Sequence, residues 1–204
     1  MKEFWNERYR AEEYAYGEEP NAYFKTQLMK LKPGKILLPA EGEGRNACFA
    51  AKQGWDVYAF DLSEQGKNKA LKLAQKNNVR INYEVCTLEE ISFGKNSFDA
   101  IALIYAHFPA AVRFAYHRKL TEYLKNDGTI IVEAFNKKHG VFQMINPTAG
   151  GPRNAEMLYS DEELESDFAE FNIIELIEQE TELSEGIGHL GKAAIIRFIG
   201  RKIA

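Results

Sequence analysis

The sequence predicts an α/β protein built on a doubly wound, mostly parallel sheet of seven strands. Three observations support this prediction. Short apolar runs alternate along the chain with longer stretches of helical periodicity. The first apolar run leads into a glycine-rich loop that opens a helical stretch. The last two apolar runs follow each other without space for a long helix, which predicts an antiparallel C-terminal hairpin.

Five apolar runs precede the hairpin and are predicted to be parallel strands. They are too short for helices, they are rich in Ile, Val, Tyr and Phe, and several are apolar at successive positions, as expected for strands covered on both faces. These five strands are predicted at residues 35–39, 55–60, 81–86, 98–105 and 128–135. The hairpin strands are predicted at residues 171–183 and 191–202.

Helical stretches separate the parallel strands. Residues 46–54 end at Gly54, a favourable helix stop, and residues 63–78 begin with Ser63, a favourable N-cap. Residues 111–128 repeat apolar side chains at helical spacing, which predicts one apolar, buried face. Strands joined by such helices imply right-handed crossovers and therefore a doubly wound sheet.

The length of 204 residues fits a single domain, here residues 1–204. Two amphipathic stretches, residues 3–13 and 20–31, precede the first strand and are predicted to be helices. We therefore divide the domain into an N-terminal helical extension, residues 1–34, and a core, residues 35–204.

The bulk properties exclude several classes of partner. The net charge is −4 and no lysine- or arginine-rich block occurs, so we expect no nucleic-acid partner. The charged N-terminus lacks the apolar segment of a signal peptide, and the longest apolar runs are too short to cross a bilayer, so we expect a cytoplasmic protein without a membrane partner. The four histidines lack metal-ligand spacing, so no metal site is expected. The oligomeric state is not predicted.

The loop after the first strand has the pattern of a nucleotide-binding motif. Residues 42–47 read G-x-G-x-x-A, and Asp61 ends the second strand about 20 residues later, where an acid would hold ribose hydroxyls. The motif alone is compatible with NAD. A glycine turn that only connects a strand to a helix would satisfy the same pattern.

The charge of this loop discriminates between two cofactors. Glu41 and Glu43 lie where NAD would place its pyrophosphate, and their carboxylates would repel it unless they point away. S-adenosylmethionine shares the adenosine half but carries a sulfonium and an ammonium group in place of phosphate. The acidic loop therefore favours S-adenosylmethionine, with Asp61 on the ribose diol. The Tyr-x-x-x-Lys pair of short-chain reductases is also absent from the sequence.

The order of several segments resembles class I S-adenosylmethionine-dependent methyltransferases, and among them the branch of the tellurite-resistance and thiopurine methyltransferases. The segments are FWNERY and YAYGEEPNAYF near the N-terminus, KILLPAEGEGRNA followed by VYAFDLSE, then NSFDAIALIYAHFP and YLKNDGTIIVEAF. The terminal hairpin matches the antiparallel seventh strand of the family. The resemblance implies a Rossmann-like fold and methyl transfer from S-adenosyl-L-methionine to a small-molecule acceptor, whether thiol, chalcogen oxyanion, amine or hydroxyl.

The resemblance also implies which residues bind the cofactor. They follow the ends of the first four strands or belong to an N-terminal lid: Glu41, Gly42, Gly44 and Asn46; Asp61 and Leu62; Thr87 and Leu88; Ile104 and Tyr105; and Trp5, Tyr9 and Tyr16. The lid would exclude water from the methionine end of the cofactor. Packing of a helix on the sheet is an equally open interpretation of Tyr9.

Two positions depart from the family pattern. The family has an acid at the end of strand one and a glycine two residues later, whereas this sequence has Leu38 and Ala40. Glu41 is expected to supply the acid instead. Thr87 stands where the family carries an acid beside adenine, so adenine contact is expected from the Thr87 hydroxyl and the backbone of Leu88.

The acceptor side of the site offers one candidate base. His107 follows the fourth strand, at the sheet edge where open α/β proteins bind ligands, and its imidazole could take a proton from a thiol or hydroxyl. A hydrogen-bonding role in a loop is the competing interpretation. The Gly- and Pro-rich residues 146–154 are expected to select the acceptor. A cofactor-binding or sensor protein without catalysis, and an NAD(P)-dependent reductase, remain alternative functions.

Overall fold

The computed structural model describes residues 1–203, and its centre is a seven-stranded sheet. The strands are β1 (Lys35–Pro39), β2 (Asp56–Asp61), β3 (Asn82–Val85), β4 (Phe98–Ile104), β5 (Leu124–Phe135), β6 (Phe171–Glu185) and β7 (His189–Lys202). Their order across the sheet is β3-β2-β1-β4-β5-β7-β6. Strands β1 to β5 are parallel, and β7 is antiparallel to both β5 and β6. The predicted mixed sheet with a C-terminal hairpin is confirmed.

Seven α-helices are described within residues 1–203. They are α1 (Lys2–Arg8), α2 (Ala22–Leu28), α3 (Arg45–Lys52), α4 (Glu64–Lys76), α5 (Ala110–Tyr123), α6 (His139–Ile145) and α7 (Asp161–Asp167). None of the helices in this part of the chain combines the length and the apolarity that a bilayer crossing demands.

Side chains on the two faces of the sheet pack into two separate apolar clusters. Along β1, Leu37 packs with side chains of α5 and α7, whereas Ile36 and Leu38 pack with side chains of α2, α3 and α4. Successive strand residues point to opposite faces, so a strand that is apolar at every position can serve both layers. This two-sided burial explains why the parallel strands were recognisable as continuous apolar runs.

The N-terminal helices are shorter than expected. The first ends at Arg8 instead of continuing to residue 13, and the second begins at Ala22, after Asn21, whose side-chain oxygen accepts a hydrogen bond from the Phe24 N–H. Residues 9–20 lie outside both helices. Their backbone is held by contacts with α4, described below, that no local pattern encodes.

The region between β5 and β6 and one face of α5 also differ from expectation. Helices α6 and α7 were not predicted, although Ser160 and Glu163 form the capping box that begins α7. On α5 the buried face includes Arg113 and His117, both hydrogen-bonded to Asp167 of α7 at 2.8 Å. The face is therefore partly polar, because α7 supplies the carboxylate that compensates the buried Arg113 guanidinium and hydrogen-bonds to His117, whose pKa is lowered by burial.

Candidate functional site

The carboxyl ends of strands β1 to β5 meet at one edge of the sheet, the edge where open α/β proteins bind ligands. The loop after β1 turns sharply there, with positive φ angles at Ala40, Gly42 and Gly44. At Gly44 a Cβ atom would lie 2.5 Å from the Cβ of Ala70, so glycine is what allows α3 and α4 to approach each other. The loop is thus held against the middle of α4.

Asp61 ends β2 and ties this loop to the next one. Its Oδ2 accepts a hydrogen bond from the Gly42 N–H at 3.1 Å, and its Oδ1 accepts one from the Ser63 N–H at 2.9 Å. Burial raises the pKa of Asp61 to about 6, and the backbone hydrogen bonds limit that rise. A carboxylate has about four acceptor sites, so Asp61 retains capacity for two hydroxyl groups of a ribose.

The two glutamates of the loop are compensated within the protein, which corrects the charge reasoning from the sequence. Glu41 accepts a hydrogen bond from the Ala47 N–H at 2.7 Å and thus caps α3; burial raises its pKa to about 7 despite this bond. Glu43 is buried and pairs with Lys69 at 2.6 Å. Neither carboxylate is left free to attract a cation, so acidity of the loop does not by itself distinguish S-adenosylmethionine from NAD.

Lys69 is a site residue that the sequence did not reveal. From α4 its ammonium group also donates to the carbonyl oxygens of Ala11 at 2.9 Å and Glu13 at 2.6 Å. It lies 4.7 Å from the centre of the Tyr14 ring. One buried cation therefore fastens residues 11–14 of the N-terminal segment to the glycine-rich loop.

The N-terminal aromatic residues cover the glycine-rich loop. A Cβ atom at Gly42 would lie 2.6 Å from the Tyr9 hydroxyl oxygen, so the Tyr9 ring rests directly on the loop. Trp5 stacks on Tyr9 with ring centres 5.5 Å apart. Burial raises the pKa of Tyr9, and the negative charge of nearby Asp61 adds to that rise. A ligand that contacts both Gly42 and Asp61 must therefore displace Tyr9.

The remaining predicted residues on the β2–β3 side lie at the same edge but have other partners. Asn46 is buried and accepts a hydrogen bond from the Asn21 N–H at 2.9 Å. Leu62, beside Asp61, is half-buried. These contacts make Asn46 a support for the N-terminal segment, while Leu62 keeps an exposed surface that an adenine ring could contact.

Thr87 and Leu88 follow β3. The hydroxyl of Thr87 accepts a hydrogen bond from the Glu90 N–H at 3.2 Å, and hydrogen bonds from the Thr87 N–H and hydroxyl lower the pKa of Glu90. The carbonyl oxygen of Leu88 accepts a hydrogen bond from the Lys119 ammonium at 2.6 Å, and its side chain is buried in the core. No hydrogen bond from the Leu88 N–H is found within residues 1–203, so both expected adenine contacts, the Thr87 hydroxyl and the Leu88 backbone, stay predictions.

The geometry of His107 argues against its expected role as a base. Its Nδ1 bonds the carbonyl oxygen of Met157 at 2.7 Å, and its Nε2 accepts a hydrogen bond from the Phe135 N–H at 3.2 Å. Burial lowers its pKa to about 4. Both ring nitrogens are engaged with backbone, so His107 acts as a tie between loops, the competing interpretation made from the sequence.

A second histidine lies where a base was sought. His189 begins β7, is buried, and its ring centre lies 4.5 Å from that of Tyr16 and 4.4 Å from that of Tyr105. Its Nδ1 is 3.2 Å from the Glu185 carboxylate. Tyr105 follows Ile104 at the end of β4 with φ of 54°, an uncommon backbone conformation for a bulky residue that often marks functional sites.

Glu185 is held in place by polar partners from distant parts of the chain. Arg45 pairs with its Oε2 at 2.8 Å, and the Asn21 amide donates to its Oε1 at 2.9 Å. Burial alone would raise the pKa of Glu185, but the hydrogen bond with His189 and the charge of Arg45 outweigh burial and lower it to about 2. The carboxylate is therefore ionised at neutral pH. Only the fold brings these residues together.

Comparisons with known proteins show which proteins this chain resembles. A family model described as "Methyltransferase domain" matches residues 36–128. The whole chain superposes on magnesium protoporphyrin IX methyltransferase from Synechocystis PCC 6803, solved with bound S-adenosylhomocysteine, at a TM-score of 0.72 and 17% identity, covering 98% of this chain and 97% of that one. Residues 36–128 thus match a methyltransferase family model, the chain shares the fold of this solved methyltransferase, and the predicted resemblance to class I S-adenosylmethionine-dependent methyltransferases is confirmed.

Individual relatives agree with this class. TehB from Haemophilus influenzae has a TM-score of 0.72 at 16% identity, over 98% of this chain and 66% of that one, a likeness in line with the predicted branch. A ubiquinone biosynthesis O-methyltransferase from Rickettsia akari is 30% identical over 122 residues, which are 59% of this chain and 46% of the relative. The chain therefore matches only about half the length of this curated relative.

Proposed function

We propose that the protein transfers a methyl group from S-adenosylmethionine to a hydroxyl oxygen of a small-molecule acceptor. The observation that carries this proposal is the antiparallel β7 between β5 and β6, combined with Asp61 and the glycine-rich loop at the carboxyl edge. Dinucleotide-binding sheets continue with a parallel sixth strand in the order 3-2-1-4-5-6. Topology therefore replaces loop charge as the reason to prefer S-adenosylmethionine over NAD.

The residues at this edge suit the adenosine half of the cofactor. Asp61 would hold the ribose diol, Leu62 and the Thr87 hydroxyl would contact adenine, and the backbone at Gly42 would face the methionine half. When bound, S-adenosylmethionine supplies an electrophilic methyl group. The aromatic rings of Trp5 and Tyr9 would then close over the site instead of resting on Gly42, and exclude water from the reaction.

The oxygen acceptor is favoured by two independent considerations. The curated relatives that match are named as O-methyltransferases, although the match covers about half of each. In addition, the acceptor side contains a buried histidine and a carboxylate, which a thiolate or oxyanion would not require. Thiol, amine and chalcogen-oxyanion acceptors are the alternatives that a screen of acceptors resolves.

Calorimetric titration tests the cofactor assignment. We expect S-adenosylmethionine and S-adenosylhomocysteine to bind, and tighter binding of NADH than of either would overturn the assignment. A methyl-transfer screen over hydroxyl, thiol, amine and oxyanion acceptors then tests catalysis. Binding without any product in that screen would favour the alternative of a sensor protein.

A further inference from the structure

We propose that Glu185 and His189 form a carboxylate–histidine dyad that removes the proton of a phenolic acceptor, an inference that rests on the methyl-transfer function proposed above. His189 would be the catalytic base, and Glu185 a positioning residue that acts through it. Neither residue follows from any sequence motif, and together they assign both a base and an acceptor class to this site.

The contact between Glu185 and His189 fixes the tautomer of the imidazole. Glu185 is ionised and accepts from His189 Nδ1 at 3.2 Å, which fixes the proton on Nδ1 and leaves the lone pair on Nε2. No hydrogen bond to Nε2 is found among residues 1–203. Burial lowers the pKa of His189, with Glu185 opposing this effect, so the ring is neutral and able to accept a proton at neutral pH.

The surroundings of His189 Nε2 are those expected of an acceptor site. A Cβ atom at Gly150 would lie 2.4 Å from Cδ2 and 3.1 Å from Nε2 of His189, so the ring edge that carries the free nitrogen lies against the loop of residues 146–154, the segment predicted to select the acceptor. The imidazole also contacts Tyr105 at the end of β4 and Phe135 at the end of β5. These strands lie on the opposite side of β1 from Asp61, which places the proposed acceptor and the adenosine on different sides of β1 along the same edge of the sheet.

The side chains around His189 suit an aromatic acceptor. Tyr16, Tyr105 and Phe135 surround His189 with aromatic rings, which suit a flat aromatic acceptor. The Tyr105 hydroxyl is buried beside Glu133, and burial together with the Glu133 carboxylate raises the pKa of Tyr105, so this ring is a neutral wall of the site. A phenol loses its proton only near pH 10, as tyrosine does, and so gains from a base, whereas an oxyanion does not.

The proposed reaction transfers one proton to His189 and one methyl group to the phenol oxygen. The O–H bond of the phenol breaks and its proton moves to Nε2 of His189, while the oxygen forms a bond to the methyl carbon. The bond between that carbon and the sulfonium sulfur breaks, and its electron pair stays on sulfur. The methyl ether and S-adenosylhomocysteine leave, and His189 returns its proton to water.

Two acceptors that differ in acidity test the base. We would compare catechol with 4-nitrocatechol, which is largely ionised near neutral pH, for wild type, His189→Gln and His107→Gln. His189→Gln should lower kcat/KM for catechol by about 100-fold or more, the usual contribution of a general base, and for 4-nitrocatechol by far less. Equal losses on both acceptors, or the selective loss in His107→Gln instead, would overturn the proposal.

A readout without turnover keeps the test independent of folding of that variant. Nitrogen-15 NMR, with the His189 signals assigned by their loss in His189→Gln, should show this ring protonated at Nδ1 only in the wild type. Glu185→Gln should turn it into a mixture of tautomers and lower kcat more than it raises KM. A proton on Nε2 of His189 in the wild type would refute the dyad. Wild-type protein that binds S-adenosylmethionine but methylates neither catechol would refute the phenolic acceptor, whereas failure to bind the cofactor would refute the proposed function itself.

Discussion

Replacing Lys69 by methionine should both destabilise the protein and release its N-terminal segment. The side chains of Lys69 and Glu43 are only 10% and 3% exposed, so the pair behaves as a buried salt bridge and not as a surface one. Removing one partner of a buried pair costs about 3–5 kcal/mol, because the other charge stays buried without compensation. The carbonyl groups of Ala11 and Glu13 belong to exposed residues, so water can replace their hydrogen bonds at little cost.

The free energy of unfolding in urea, followed by circular dichroism, measures this cost. Lys76→Met is the matched control, since Lys76 lies on the same helix but its pair with Glu18 is exposed at 65% and 40% and should contribute no more than about 1 kcal/mol. Adding Glu43→Gln to Lys69→Met should restore about 2 kcal/mol, because a neutral amide costs less to bury than a lone carboxylate. Limited proteolysis should cut residues 9–16 faster in Lys69→Met. Unfolding free energies within 1 kcal/mol of each other for the two single variants would refute the assignment.

Three further predictions concern binding, closure and pH. Asp61→Asn should weaken S-adenosylmethionine binding about 10- to 100-fold in calorimetric titrations, because charge-assisted hydrogen bonds of roughly 1.5–3 kcal/mol are lost. Asp56→Asn, at the exposed start of β2, is the control, and equal weakening in that variant would contradict the prediction. Deleting residues 1–20 should leave the circular dichroism of the sheet in place but abolish methyl transfer by opening the site, and full turnover in the folded truncation would show that the segment is not a lid. The pKa of His107 is lowered to about 4 in the folded protein, against 6.5 in the unfolded chain, so the unfolded chain binds a proton more readily. The free energy of unfolding should therefore fall as pH drops from 6.5 to 4, by up to about 3 kcal/mol. His107→Gln should flatten this pH dependence in urea titrations, and an unchanged slope would count against the prediction.

Much of the sheet could be predicted because burial on both faces leaves a local mark. The strands β1, β2, β4 and β5 read as short apolar runs, since most of their residues meet one helical layer or the other. The glycine-rich loop and Asp61 were recognisable because a tight turn at a helix start restricts residue type to glycine. The resemblance to class I methyltransferases followed from the order of these segments.

Elements with weaker local signals were misjudged. The first helix ends at Arg8, and the segment after it is held by Lys69 of α4, which donates to the carbonyl groups of Ala11 and Glu13. The buried face of α5 is partly polar because Asp167, 50 residues from His117, supplies the compensating charge. In both cases a partner distant in sequence overrode the local preference.

The sequence by itself determined the alternation of strands and helices, the glycine-rich turn and the acid at the end of β2, because each depends on residues close together in the chain. Only the tertiary structure decided which charges are free and which are compensated. Glu43 pairs with Lys69, both nitrogens of His107 are taken by backbone, and Glu185 lies against His189. The effect of a charge depends on burial and on partners within a few ångströms, and the folding of distant segments onto one another sets both.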